Sequence, residues 1–269
     1  MSLFTASLVA LSLASSGAAA QNADTSTATS DMEKAAPMPD VTIYHLEGRR
    51  SERIIWLMEE LELPYELKYV KGDLGASMAQ IKALGHGMPM APTVVYGDDI
   101  IVESGAIIDT ILMRHAPGKL VPPTASRAYP HHVKWMHYAE GSLAARLFSD
   151  YRAWRVNPPK VRSPLVDSEN VVQYAEDYLG ENPWFGGPEF SSADIMMHWP
   201  LNVAFRLNLV DSEQFPNVVA WNAKIVERPA YKKMRALATP GPVPGMLPPV
   251  QHPPSDKRAT FPGAPPTKN

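Results

Sequence analysis

The sequence predicts an α/β domain followed by an all-helical domain, and two observations lead to this fold class. Between residues 41 and 119, short alternating or β-branched runs are separated by segments whose apolar residues recur at helical spacing. Beyond a proline-bearing linker the strand signals end, and helical periodicity continues from residue 125 to about residue 238. The order of elements in the first domain is βαβ followed by ββα, which predicts a small mixed sheet flanked by helices.

The first strand and the first helix lie between Val41 and Glu66. An alternating apolar run leads into a turn at residues 47–50, and an amphipathic segment follows. Ser51 stands at the predicted start of this helix. A serine there either caps its own helix or presents its hydroxyl to a ligand near the positive end of the helix dipole, and the local pattern alone favours capping.

The rest of the first domain alternates between strand and helix signals. A Gly97-Asp98-Asp99 turn between two apolar runs is typical of a hairpin. After Glu103 and Ser104, apolar residues again recur at helical spacing. The predicted elements are a strand at 65–70, a helix at 76–84, strands at 93–96 and 100–102, and a helix from residue 106.

The second domain, residues 125–238, shows helical patterns punctuated by prolines. The predicted helical stretches are 125–156, 165–180, 192–210 and 215–237. The pair Ser191 and Asp194 opens the third stretch with a capping signal, in which the serine caps the helix and the aspartate returns a bond to a backbone N–H. We expect this pair to serve folding, with a loss of about 1 to 2 kcal/mol when Asp194 is replaced by alanine.

The two ends of the chain differ in composition from the predicted domains. Residues 1–20 form an apolar run ending in three alanines, which predicts a signal peptide and a periplasmic or secreted protein; without cleavage the protein would be cytoplasmic. Residues 21–40 have the composition of a flexible spacer. Residues 239–269 are rich in proline, which predicts an extended or disordered tail that can lie on the folded body.

Composition excludes several classes of function. The 269 residues carry a formal charge of −3 without a basic cluster, which gives no basis for nucleic-acid binding. The absence of cysteine excludes disulfides, thiolate metal sites and cysteine nucleophiles, so thiol chemistry requires a thiol on a ligand. No nucleotide-binding or serine-hydrolase motif is present, and the histidines lack metal-ligand spacing, so neither a nucleotide nor a metal is expected.

Four short motifs occur in order along the two predicted domains: Ser51–Leu61, Met90–Val94, Glu103–Ile107 and Phe190–Ile195. Together with the domain order they resemble the soluble glutathione S-transferase superfamily, and the first motif is similar to the serine-bearing first helix of many bacterial members. The resemblance implies a thioredoxin-like N-terminal domain of order βαβ–ββα and an all-helical C-terminal domain.

The resemblance also implies a glutathione site in the first domain. Ala91 and Pro92 would form the cis-proline turn of the family, whose backbone groups pair with the tripeptide. Glu103 and Ser104 would hold the γ-glutamyl group, because N–H groups at a helix start attract its carboxylate and the Glu103 side chain can meet its ammonium group.

Ser51 acquires a chemical role within this site. The thiolate is the reactive form of a thiol, and a hydroxyl hydrogen bond at the positive end of a helix would lower the pKa of the glutathione thiol. Tyr44 is the rival donor, because other members of the superfamily carry a tyrosine near the end of the first strand. The sequence favours Ser51 and leaves Tyr44 open.

Two features depart from the family pattern. The segment before the proline turn lacks the lysine that the family places near the glycyl carboxylate, for which Lys82 or His86 is a substitute. The first helix of the second domain would line a pocket for the acceptor substrate with Trp135, Tyr138 and Arg146, although core packing explains its aromatic residues equally well.

The resulting hypothesis is a glutathione transferase for detoxification that activates the glutathione thiol for attack on an apolar or aromatic electrophile. The family implies a homodimer. Two alternatives use the same fold: another glutathione-dependent reaction, such as ether cleavage, isomerisation or peroxide reduction, or a non-catalytic protein that binds glutathione or another ligand.

Overall fold

The computed structural model describes residues 39–157, 166–243 and 245–251. The predicted signal peptide, all but the last two residues of the predicted spacer, and residues 252–269 of the predicted tail lie outside these ranges. Within them, no helix combines the length and the apolar character needed to cross a membrane.

A four-stranded sheet forms the centre of the first domain. It contains β1 (Val41–Tyr44), β2 (Glu66–Lys68), β3 (Thr93–Tyr96) and β4 (Asp99–Val102) in the order β2-β1-β3-β4. β1 is parallel to β2 and antiparallel to β3, with Ile43 opposite Val94, and both side chains are fully buried. The mixed sheet predicted from the sequence is confirmed; β2 is shorter than its alternating pattern because it pairs only with the short strand β1.

Three helices flank this sheet: α1 (Glu52–Leu61), α2 (Leu74–Ala83) and α3 (Ser104–His115). α1 is buried along most of its length and packs against α9 as well as α3 and α7. α2 begins two residues before the predicted start because the Asp73 side chain accepts a hydrogen bond from the N–H of Ala76 and caps the first turn. The βαβ–ββα order therefore places the starts of α1 and α3 near each other.

In the described residues of the second domain, all elements of regular secondary structure are helical, as predicted. Its elements are α4 (Tyr129–Tyr138), a π-helical segment (Ala139–Ala144), α5 (Ala145–Val156), α6 (Ser168–Glu181), α7 (Ser192–Arg206), a 3₁₀ turn (Ser212–Gln214), α8 (Pro216–Val226) and α9 (Pro229–Ala238). The stretch 215–237 divides into two helices because Pro229 lacks the N–H needed to continue α8 and instead occupies the first turn of α9.

The predicted capping pair opens α7. The Ser191 hydroxyl accepts a hydrogen bond from the N–H of Ala193 at 3.2 Å, and Asp194 accepts from the N–H of Ser191 at 2.9 Å. The other carboxylate oxygen of Asp194 accepts from the N–H of Phe185 and from the indole of Trp221, both at 2.8 Å. Asp194 thus joins the start of α7 to the loop before it and to α8, which extends the capping role predicted from the sequence.

The chain after α9 runs back over the folded body. The N–H of Val250 donates to the carbonyl of Leu207 at 2.9 Å, and Arg49 donates to the carbonyl of Gly245 at 3.0 Å. The described part of the proline-rich tail therefore lies on the surface between the end of α7 and the turn before α1.

Candidate functional site

A cavity of about 550 Å³ lies where the start of α3 and the loop before β3 face the π-helical segment and α5. Ala91, Pro92, Glu103 and Ser104 all line it, so the structure brings together the four residues predicted to bind glutathione. The Ala91–Pro92 peptide bond is cis, in agreement with the predicted turn. The roles of these four residues stay predictions, but their placement in one cavity is a feature of the fold.

Glu103 adopts an unusual backbone conformation beside this cavity. Its φ angle is 71° with ψ at 115°, in a region where residues other than glycine are uncommon. Such a conformation costs on the order of 1 to 3 kcal/mol and concentrates at functional sites. The next residue, Ser104, begins α3 and is 4% exposed, so its hydroxyl lies at the base of the cavity wall.

An ion cluster stands behind Ser104. Arg53 is fully enclosed; its guanidinium donates to Glu140 at 2.6 Å, to the carbonyl of Met196 at 2.6 Å and to the Ser104 hydroxyl at 3.4 Å. Burial lowers the pKa of Arg53, whereas Glu140 opposes that shift. The cluster ties the start of α3 to α1, α7 and the π-helical segment.

Glu140 is shared between two arginines. Its Oε1 accepts from Arg53 and from the Nε of Arg50, the latter at 2.8 Å. Burial alone would raise the pKa of Glu140, but the two guanidinium groups outweigh it and hold the pKa below its ordinary value. Glu140 therefore stays ionised, and the three side chains together carry one excess positive charge.

Arg50 lines the cavity, and two aromatic rings fix its position. Its guanidinium lies 4.3 Å from the ring centroid of Trp199 and 5.5 Å from that of Phe148, within the range of cation–π attraction. The Trp199 indole in turn donates to the carbonyl of Gly48 at 3.2 Å, in the turn that carries Arg50. Arg50 is thus held at the cavity by α5, α7 and the π-helical segment.

Ser51 does not line this cavity, although it is adjacent to Arg50 in the chain. Its side chain is fully buried, and its hydroxyl lies 2.8 Å from Nδ1 of His45 and accepts from the N–H of Leu46 at 3.1 Å. The other ring nitrogen of His45 lies 2.7 Å from the carbonyl of Ala238, which can only accept, so Nε2 must carry the proton. Burial lowers the pKa of His45 to about 4, so the ring is neutral and Nδ1 accepts the proton of the Ser51 hydroxyl.

Tyr44, the rival donor predicted from the sequence, also lies outside the cavity lining. It is half-buried at the end of β1, where it pairs with Lys68 on β2 and with Thr93 on β3. The assignments of Ser51 and Tyr44 to the glutathione sulfur therefore stay predictions, without support from the cavity geometry.

The three residues predicted for an acceptor pocket occupy other places. Trp135 is fully buried, and Tyr138 donates to the carbonyl of Val171. Arg146 lies 3.5 Å from Asp150 on its own helix. None of the three lines the cavity, and for Trp135 the structure matches the core-packing alternative.

The second domain instead contributes side chains that the sequence interpretation missed. Ala144, Phe148 and Arg152 line the cavity together with Glu140. These four residues are spaced four apart and therefore share one helix face, which is a signal that periodicity could have supplied. The face begins in the π-helical segment, a distortion that often accompanies functional sites.

His86, one of the two candidates for the missing cation, is already engaged within the loop before β3. Its Nδ1 accepts from the N–H of Met88 at 3.2 Å, and its Nε2 lies 3.4 Å from the Thr93 hydroxyl. Neither His86 nor Lys82 lines the cavity. The structure thus gives no support to either substitute for the family lysine.

Comparison with known proteins agrees with both domains. Residues 43–119 match the family model for the glutathione S-transferase N-terminal domain, and residues 161–229 match that for the C-terminal domain. Glutathione S-transferase 3 of Schizosaccharomyces pombe is 25% identical over 211 residues, which cover 71% of this chain and 85% of the yeast protein.

Solved structures share the fold. A glutathione S-transferase from Actinobacillus pleuropneumoniae superimposes with a TM-score of 0.61 at 27% identity, covering 74% of this chain and 92% of that one. A theta class glutathione S-transferase from Xanthomonas axonopodis pv. citri with glutathione bound gives a TM-score of 0.55 at 23% identity, covering 73% and 97%. With both domains matched in order and the fold shared, the chain belongs to the soluble glutathione S-transferase superfamily of enzymes.

Proposed function

We propose that the protein binds glutathione in the cavity between the start of α3 and α5 and transfers it to a small apolar or aromatic electrophile. The observation that carries this proposal is the meeting of Ala91, Pro92, Glu103 and Ser104 in one cavity. A tripeptide with a carboxylate and an ammonium group at one end matches the chemistry of this wall.

The γ-glutamyl end of glutathione fits the start of α3. Free N–H groups and the dipole of the helix attract its carboxylate, and the Ser104 hydroxyl adds a donor backed by Arg53. The exposed Glu103 carboxylate is available to the ammonium group. A solved relative with glutathione bound supports this choice of ligand.

The opposite wall of the cavity suits an apolar acceptor. Phe148 and Ala144 stand on the face of α5 and the π-helical segment, and Met88 and Met90 face the cavity from the loop before β3. Methionine and phenylalanine present adaptable apolar surface without a specific hydrogen-bonding pattern. The acceptor is therefore proposed to be an apolar or aromatic electrophile.

Calorimetric titration tests the binding step. Glutathione and S-methylglutathione should both bind the purified protein, and Ser104→Ala should weaken both by about tenfold or more, as expected for loss of a hydrogen bond to a charged group. Thr110→Ala is the matched control, because its hydroxyl bonds the carbonyl of Ala106 on the same helix, outside the cavity. Equal affinity of wild type and Ser104→Ala would remove Ser104 from the site.

Turnover distinguishes the reactions. A panel of a chloronitrobenzene, an epoxide, an aryl ether and an organic hydroperoxide, each with saturating glutathione, separates conjugation from ether cleavage and peroxide reduction. Conjugate formed with the aromatic electrophile is the expected result. Tight glutathione binding without turnover of any of them would favour a non-catalytic ligand-binding protein.

The proposals for assembly and localisation rest on the family resemblance and on the sequence of the first twenty residues. We propose a homodimer, as the family implies, which sedimentation of the purified protein tests directly. Export through a cleaved leader at residues 1–20 is proposed from the apolar run and its alanines. A mature N-terminus elsewhere than near Gln21 would contradict export.

A further inference from the structure

The two hydroxyl groups that the sequence predicts for the glutathione sulfur, those of Ser51 and Tyr44, do not line the cavity. The proton of Ser51 is committed to Nδ1 of the neutral His45, and its oxygen accepts from the N–H of Leu46. Tyr44 lies on β1 outside the lining. A thiolate bound in this cavity therefore needs another stabilising group.

Arg50 has the required position and free donors. It lines the same cavity as Pro92 and Ser104, and its Nε is the atom that bonds Glu140. Among the residues that the structure describes, no hydrogen bond engages its two terminal nitrogens. A guanidinium keeps its charge under all ordinary conditions, so these nitrogens remain donors to an anion.

The charge balance around Arg50 also favours an anion. Arg50 and Arg53 share the single carboxylate of Glu140, which leaves one positive charge unbalanced at the wall. Of the other charged residues in the lining, Glu103 is proposed to face the ammonium group of the ligand, and Arg152 adds a further positive charge. A thiolate near Arg50 would neutralise the excess, and burial of the cluster strengthens the attraction.

We propose that the Arg50 guanidinium, rather than a hydroxyl of Ser51 or Tyr44, stabilises the thiolate of bound glutathione; this inference rests on the proposed function. The thiol releases its proton to solvent water, and the resulting thiolate is held by the terminal N–H groups of Arg50. The sulfur electron pair then forms the carbon–sulfur bond to the electrophile, and the leaving group departs with the electron pair of the bond that breaks.

Trp199, Phe148 and Glu140 are positioning residues in this arrangement. The two rings and the carboxylate fix the plane of the guanidinium before the ligand arrives, so little conformational entropy is lost on binding. This preorganisation is what distinguishes Arg50 from Arg152, which also lines the cavity but is exposed.

The test measures the thiol pKa of bound glutathione from thiolate absorbance in wild type, Arg50→Met, Arg50→Lys, Ser51→Ala and Tyr44→Phe. The matched control is Arg155→Met, which removes an exposed arginine of α5 that does not line the cavity. We expect Arg50→Met to raise that pKa by about one unit or more, within the range expected when an opposite charge is removed. Arg50→Lys should retain part of the stabilisation. Ser51→Ala, Tyr44→Phe and Arg155→Met should leave the thiol pKa close to that of wild type.

S-methylglutathione, which has no thiol, separates folding and binding from thiolate stabilisation. Arg50→Met should bind it within about threefold of wild type, while kcat/KM with an aromatic electrophile falls at least tenfold near neutral pH and recovers as the pH rises. An unchanged thiol pKa in Arg50→Met, or a larger rise in Ser51→Ala or Tyr44→Phe, would overturn the assignment to Arg50. Failure of wild type to bind either compound would overturn the proposed function, and with it this inference.

Discussion

The helices α1 and α7 both begin at a serine, yet the two hydroxyls make different bonds. At α7, Ser191 accepts from the N–H of Ala193 in a capping box with Asp194. At α1, the Ser51 hydroxyl makes no bond to the N–H groups of its own helix and instead bonds His45 and Leu46. A serine immediately before the first residue of a helix therefore serves two different structural purposes in this protein.

Backbone conformation explains the difference. Ser191 is extended, with φ at −144° and ψ at 174°, which is the conformation in which a capping side chain reaches the first turn. Ser51 has φ at −63° and ψ at −19°, already helical, and the N–H groups of Glu52 and Arg53 bond the carbonyls of Arg49 and Arg50. The turn before α1 satisfies these N–H groups, so the hydroxyl of Ser51 is free to hold the histidine.

Each of the two helix starts also has a buried titratable group. The pKa shifts of these two groups make the stability of the protein depend on pH in opposite directions. Burial lowers the pKa of His45 to about 4 and raises that of Asp194 to about 6. Hydrogen bonds from Phe185, Trp221 and Ser191 oppose the shift of Asp194 but do not cancel it. Acid therefore weakens the start of α1 and favours that of α7.

The largest expected effect is the loss of Asp194. Its carboxylate accepts four hydrogen bonds in a fully buried site, so Asp194→Ala should lower the free energy of unfolding by about 3 to 5 kcal/mol, as for other broken buried networks. Urea denaturation at pH 7 measures this, with the exposed Asp177→Ala as control. A loss of only 1 to 2 kcal/mol, the value expected from capping alone, would show that Phe185 and Trp221 do not depend on the carboxylate.

The second prediction concerns acid and His45. The unfolded chain takes up the proton near pH 6.5 and the folded protein only near pH 4, so stability is present above pH 6.5 and is lost as the pH falls toward 4. The shift corresponds to at most about 3.4 kcal/mol. In His45→Gln this loss should be missing, so the difference in unfolding free energy between wild type and variant should narrow on going from pH 7.5 to pH 4.5. A constant difference would show that His45 has the same pKa in the folded and the unfolded protein.

Asp194 provides the opposite slope. Because its folded pKa near 6 lies above the ordinary value of 3.8, the folded protein holds this proton more firmly, and stability is lost as the pH rises between these two values, by at most about 3 kcal/mol. Replacement by asparagine removes the titration. The unfolding free energy of wild type minus that of Asp194→Asn should therefore be larger at pH 4.5 than at pH 7.5. Parallel pH profiles of the two proteins would contradict the shifted pKa.

The fourth prediction tests the buried hydroxyl at α1. Ser51→Ala removes the partner of His45 Nδ1 and of the Leu46 N–H, both enclosed, and should cost about 2 kcal/mol. The pKa of His45 should change as well, because its hydrogen-bond partner is lost, which NMR titration of the ring detects. A stability loss below about 0.5 kcal/mol would show that water replaces the hydroxyl at both partners.

The sequence predicted the fold because its signals are local. Alternating residues in β1, the turn at Gly97 and the capping pair at Ser191 each act within a few positions, and the structure contains all three. The sequence also indicated one wall of the cavity, because two of the family motifs contain Ala91 and Glu103, and both residues line it.

The remaining part of the site depends on contacts between distant segments. Arg50 reaches its position through Glu140 and Trp199, which lie 90 positions and more away in the chain, and no pattern near Arg50 predicts them. Likewise, the hydrogen bond of Ser51 depends on His45, whose other ring nitrogen bonds the carbonyl of Ala238 at the end of the second domain. Local periodicity cannot supply such pairings.

The smallest expected effect distinguishes the roles of the two serines most directly, because it requires only knowing whether the alanine or the glycine variant is more stable at each position. At the extended Ser191, glycine is a better N-cap than alanine, so Ser191→Ala should cost about 1 kcal/mol and Ser191→Gly less. At the helical Ser51, glycine carries the entropic cost of a helical position, so Ser51→Gly should be less stable than Ser51→Ala by about 0.5 to 1 kcal/mol. Urea denaturation of the four variants in one buffer gives both orders. The same order at both sites would mean that the two helices begin in the same way, and that Ser51 caps α1 in solution.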